Sequence, residues 1–159
     1  YDAAFRIGPL GTSGLTARPL APYRLVACAA PAYLMARGTP QKPADLERHE
    51  CLGYAFSSRP ADREWVFFQG TVSYKVRVAS RLLINESRAL MSAALDGFGI
   101  VLGPQDFRRT ALASGELVRV LPEFEAPSRS MHLVYTANRQ RTAKLRCFVE
   151  TVLGRFGPV

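Results

Sequence analysis

With 159 residues, 48% hydrophobic and 21% charged, the chain suffices for one ordinary domain or for two small lobes, and its composition is that of a soluble globular protein. No apolar run approaches the roughly 20 residues that cross a bilayer, and YDAAFRIGPL lacks the basic and apolar regions of a signal peptide. The net charge of +8 invites a nucleic-acid partner, but only Lys42, Lys75 and Lys144 are lysines and the remaining basic residues are scattered arginines, a pattern that fits a solvated surface with long-range attraction for anions.

The first segment reads as a strand already under way, so the chain is expected to begin partway through a domain. AAFRIG (3–8) and LTARP (15–19) are short strands around turn-forming residues. Tyr23 to Ala30 (YRLVACAA) has no helical cap and is apolar throughout, as a strand buried on both faces would be. Pro31 suits the first turn of a short helix that Gly38 ends, and Pro43 opens a further helical turn. CLGYAF, from Cys51 to Phe56, is a short aromatic strand. EWVFFQG and TVSYKVRVAS flank Gln69-Gly70-Thr71 as a hairpin.

RLLI leads to Asn85, a good N-cap for the helix ESRALMSAALD, in which Leu90 and Ala94 share a face with a four-residue spacing. Gly97 stops that helix, and GIVLG follows as a compact buried strand. Pro104 starts another helix, stopped near Gly115. LVRVLP and MHLVYTA are strands, and Thr142 caps a last helix whose Leu145, Phe148, Val149, Val152, Leu153 and Phe156 form one apolar stripe. Strands alternating with helices predict an α/β sandwich with a largely parallel sheet.

No motif completes a catalytic or metal centre. Gly97, Gly99 and Gly103 are one residue too widely spaced for a dinucleotide loop, and they lead from helix to strand, the wrong order for phosphate at a helix start. A nucleophilic site needs a histidine base. His49, in the charged stretch ERHE, reads as a surface residue, and His132 as a packed strand residue, so no catalytic residue is assigned. His49 and Cys51 are too few for zinc, and no cofactor or metal is assigned either. Cys28, Cys51 and Cys147 are odd in number and form no Cys-x-x-Cys pair; Cys28 and Cys147 lie in apolar patterns, and the three suit a reducing cytoplasm. What remains is a binding cleft. Helix starts follow strands at Asn85-Glu86-Ser87 and at Gly103-Pro104, where unpaired N–H groups favour anions, and Tyr54 and Phe56 offer an apolar wall.

The order of these pieces resembles the effector-binding domain of LysR-type transcriptional regulators over nearly the whole chain. YDAAFRIGPL is similar to the family's D-x-A-x-R-x-G strand. LAPYRLVACAAPAYLMARGTPQKPADLERHECLGY is similar to its crossover with the A-P-A-Y-L helix and the D-L-x-x-H-x-C-L turn. NESRALMSAALDGFGIVLGP, GELVRVLP, MHLVYTANRQ and the closing helix follow in the family's order. The resemblance implies a two-lobed type 2 periplasmic-binding-protein-like fold with an incomplete first lobe. Residues 1–22 and 131–159 would be what remains of that lobe, and 23–130 the second. It implies a non-enzymatic, cytoplasmic ligand sensor whose dimers or tetramers bind DNA only through an N-terminal winged helix-turn-helix that this sequence lacks. A small, anionic effector would lie between the lobes, with Arg6 and Ile7 on the first-lobe side, Tyr54 and Phe56 opposite, and Asn85, Ser87 and Gly103 as polar contacts. A periplasmic solute-binding protein of the same general fold is the alternative.

Overall fold

In a computed structural model the described residues are 2–8, 10, 14–55, 64–136 and 142–157. Their elements run β1 (Ala3–Ile7), β2 (Leu15–Tyr23), β3 (Leu25–Ala29), α1 (Pro31–Arg37), a 3-10 helix (Pro43–Arg48), β4 (Cys51–Tyr54), β5 (Glu64–Gln69), β6 (Val72–Arg77), β7 (Leu83–Ile84), α2 (Ser87–Leu95), β8 (Ile100–Pro104), α3 (Gln105–Ser114), β9 (Val118–Arg119), β10 (Arg129–Thr136) and α4 (Ala143–Phe156). The chain divides into two compact units, one of Tyr1–Tyr23 with Ser128–Val159 and one of Arg24–Pro127.

In the first unit, β10 pairs antiparallel with β1 on one side and β2 on the other. Alternation sends Leu133 and Tyr135 to one face, where Leu145, Val149 and Val152 of α4 meet them together with Leu20. The spacing of four and three residues on α4 places those three side chains on one stripe. Burial of each is worth roughly 1.5–3 kcal/mol. Cys147 falls midway between Leu145 and Val149 and is therefore turned outward and exposed, which corrects its assignment to the apolar pattern.

The second unit is a five-stranded sheet, ordered β7-β4-β8-β3-β9, covered on both faces. Successive residues take opposite sides: Ala27, Cys51 and Ile100 face one core with Leu46, Trp65 and Phe67, while Cys28, Leu52 and Val101 face the other with Leu90, Ala94 and Ala111. The β5–β6 hairpin and the 3-10 helix thus cover one side, and α2 and α3 the other. This double burial is why VACAA, CL and IV carry no polar alternation. The hairpin closes through Gly70 and Thr71, with Gln69 opposite Val72.

The sheet is mixed, against the largely parallel expectation. β4 runs parallel to β7 and β8, whereas β3 runs antiparallel to β8 and β9. Only Arg24 separates β3 from β2, so β3 enters its sheet from the other unit rather than by a strand–helix crossover, and the crossover rule does not set its direction. LVRVLP contributes only Val118–Arg119 as strand, because Leu121 adopts φ 54° and Pro122 cannot donate to a ladder.

Two glycines of the 97–103 run have structural tasks. Gly97, at φ 78°, ends α2 in a conformation costly for other residues. A Cβ on Gly99 would strike the carbonyl of Glu50, the group that accepts the Ile100 N–H at 2.9 Å and seats β8 beside β4.

Candidate functional site

Because β4, β7 and β8 are mutually parallel, their carboxyl ends gather at one edge of the second unit's sheet. Tyr54 ends β4, Asn85 follows β7, and Gly103-Pro104 ends β8. In open α/β sheets this is where ligands settle. Tyr54 is half-buried, and its hydroxyl donates to the Asn85 carbonyl at 2.7 Å. Ser87, also half-buried, is the first residue of α2. The structure therefore brings Tyr54, Asn85 and Ser87 together across two neighbouring strand ends.

Asn85 is not the N-cap. That position belongs to Glu86, whose Oε1 accepts the Arg88 N–H at 2.9 Å and whose Oε2 accepts the Ala89 N–H at 2.7 Å. These bonds, first from Arg88 and then from Ala89, hold the Glu86 carboxyl below the usual carboxylate range. Asparagine is the better cap by propensity. Here the Tyr54 bond ties the Asn85 carbonyl to β4, and the chain turns into the helix one residue later. A glutamate at this point was visible in the sequence, but its longer side chain is not a preferred cap, so the role was missed.

Gly103 is buried within β8, and a Cβ there would collide with the guanidinium of Arg108 from α3, whose Cζ would lie 2.7 Å away. Arg108 is only 2% exposed and donates through Nη1 to the Pro104 carbonyl at 3.0 Å. Burial pushes the Cys28 thiol up, opposed by the charge and hydrogen bond of the same guanidinium. Gly103 thus makes room for a buried cation; spacing alone had pointed only to a helix start.

His49 is buried, contrary to its expected place on the surface. The Glu50 N–H donates to the Tyr33 hydroxyl at 2.9 Å, and the same hydroxyl shares a hydrogen bond with Nδ1 of His49, 3.1 Å away. Burial lowers the His49 pKa, partly offset by Asp45. The pair fastens α1 to the start of β4.

Arg6 and Ile7 belong to the first unit. Arg6 is opposite His132 and Ile7 opposite Met131, so the two lie on opposite faces of β1 and do not form one wall. Ile7 shares the face of α4. The His132 Nδ1 is enclosed without a hydrogen-bond partner among the described residues. Phe56 lies outside the described residues. Among the described residues, no group of three or more His, Cys, Asp or Glu could hold a metal ion, and no helix is long and apolar enough to cross a membrane.

The family model described as LysR substrate binding domain matches residues 1–157. The probable HTH-type transcriptional regulator LtrA of Klebsiella pneumoniae is 34% identical over 152 residues, covering 94% of this chain and 48% of that protein. The chain spans about half the length of the curated relatives it matches. The regulatory domain of CrgA, a LysR-type transcriptional regulator from Neisseria meningitidis, superposes with a TM-score of 0.86 at 28% identity, over 98% of this chain and 76% of that one. The full-length Vibrio cholerae virulence activator AphB gives 0.84 at 26% identity, over 98% of this chain and 52% of that one. These relatives are transcriptional regulators, which favours the regulator over the periplasmic solute-binding alternative. The chain belongs to the LysR substrate binding domain family, with the periplasmic-binding-protein-like α/β fold of an effector-binding domain of LysR-type regulators.

Proposed function

We propose that the parent protein is a cytoplasmic transcription factor in which this domain senses a small anionic metabolite and adjusts how dimers or tetramers present N-terminal DNA-binding heads. Residues 1–22 with 131–159 are assigned to the first effector-domain lobe and 23–130 to the second. The observation that carries the reading is the convergence of Tyr54, Asn85 and Ser87 at the carboxyl ends of parallel strands, with Gly103 closing the next strand. The net charge of +8 supports an anionic ligand through long-range attraction. Phe56 is assigned the apolar wall from its place in the sequence, and the first-lobe contacts are assigned to the carboxyl end of β1, where Arg6 and Ile7 stand on opposite faces. The regulator relatives support sensing rather than turnover. Ligand couples to DNA only if it binds one arrangement of the protein more tightly than another.

Calorimetry with a panel of aromatic and aliphatic carboxylates is the direct test. At least one is expected to bind saturably, with affinity reduced about tenfold, or ~1.4 kcal/mol, by Asn85→Ala and Tyr54→Phe. Absence of binding across the panel, together with a promoter response untouched by either substitution, refutes the site.

A further inference from the structure

We propose that Arg108 selects the charge of the effector: its guanidinium, buried at the end of β8, supplies the positive potential that favours an anionic group at the Tyr54–Asn85–Ser87 edge. The proposal rests on the reading of that edge as the effector site. β8 lies between β3 and β4, with Gly103 opposite Val26 on one side and Val101 beside Leu52 on the other. Carried two residues on, the parallel register sets Tyr54 level with Gly103, and alternation puts both on the face covered by α2 and α3. Tyr54 packs against the cluster of Leu52, Leu90 and Val101 on that face. The guanidinium fills the space a Gly103 side chain would take, its Cζ 2.7 Å from the Cβ position. It therefore stands beside the place of Tyr54, at the carboxyl ends of the parallel strands. α3 sets two successive arginines differently. Arg109 is exposed and paired with Asp106 at 2.7 Å, where water and salt screen its charge. Arg108 is buried and donates to the Pro104 carbonyl, and a charge so enclosed is felt more strongly by its surroundings. Burial of an ionic group is weak evidence of a stabilising role, since an apolar side chain of similar volume often replaces it without loss. The bare Cα of Gly103 and the Pro104 carbonyl instead keep a permanent cation at this place. Asn85 and Ser87 meet the ligand, and Arg108 discriminates its charge from beneath.

The test is amide NMR of the 159-residue chain, with benzoate and acetate as probes, each set against its uncharged counterpart, benzamide or acetamide. In the unsubstituted chain at least one anion is expected to shift the Asn85 and Ser87 resonances saturably, binding about tenfold more tightly than its amide. Arg108→Met is expected to erase that preference, and Arg108→Gln to do the same should the methionine variant fold poorly. Arg108→Lys, which keeps the charge, is expected to retain most of it. A purely structural role would weaken anion and amide alike and leave their ratio unchanged. A preference that survives in the neutral variants therefore overturns the proposal while leaving this edge as the effector site. A preference lost equally in Arg108→Lys overturns it too, because shape rather than charge would then decide. Absence of saturable shifts from both anions in the unsubstituted chain removes this edge as an anion site, and the proposal with it.

Discussion

Gly103→Ala tests the close approach at the end of β8. The added methyl would occupy space now held by the Arg108 guanidinium, whose Cζ would be 2.7 Å from the new Cβ. With Arg108 only 2% exposed, the side chain cannot swing into solvent without breaking its bond to the Pro104 carbonyl. Losing a charge-assisted hydrogen bond costs about 1.5–3 kcal/mol, and the overpacking that drives the loss is the same displacement, so the two are not added. Replacing glycine stiffens the unfolded chain and returns about 0.4–1 kcal/mol. The net expectation is a loss of roughly 1–2 kcal/mol. Urea unfolding followed by fluorescence reads it directly, because the single tryptophan, Trp65, is buried in the same unit. Adding Arg108→Met removes the obstacle, so the double variant is expected to lose less than the sum of the two single losses. A Gly103→Ala protein as stable as the original, or strictly additive losses in the cycle, refutes the argument.

Stability is also expected to fall on acidification through His49. Burial lowers its folded pKa, so the unfolded chain binds the proton more readily. The contribution is fully present above the ordinary histidine value of about 6.5 and is lost as pH falls below it toward the folded value; urea midpoints measured from pH 7.5 to 5 should flatten in His49→Gln. Tyr33→Phe leaves both the Glu50 N–H and Nδ1 of His49 without their present partner, and a loss of about 1–3 kcal/mol is expected in the same assay. Leu46→Ala empties a fully buried position under the hairpin, for an expected loss of about 2–5 kcal/mol by calorimetry. Cys147 should react with a thiol reagent in the folded protein, whereas Cys28 and Cys51 are buried and should react only after unfolding, burial having pushed the Cys51 thiol up to about 12; fast labelling of all three would count against this packing.

Periodicity and capping alone determined much of this protein. The apolar runs at Val26–Ala30 and Ile100–Val101, the hairpin at Gly70 and the helix stops at Gly38 and Gly97 follow from local preferences that the fold respects, and the order of linked motifs carried the family; of the stripe on α4, Leu145, Val149, Val152 and Leu153 pack inward, whereas Phe148 and Phe156 are exposed. Tertiary structure decided what depends on partners distant in the chain. The direction of β3 was set by its entry from the other unit. His49 looked like a surface residue among charges until Tyr33, sixteen residues earlier, supplied a bond that made its burial affordable. Arg108 could be buried because a glycine stood opposite it. The cap of α2 passed from Asn85 to Glu86 because Tyr54, 31 residues away, ties the Asn85 carbonyl to β4. Local propensity ranks the residues able to do such work, but long-range hydrogen bonds and packing choose among them.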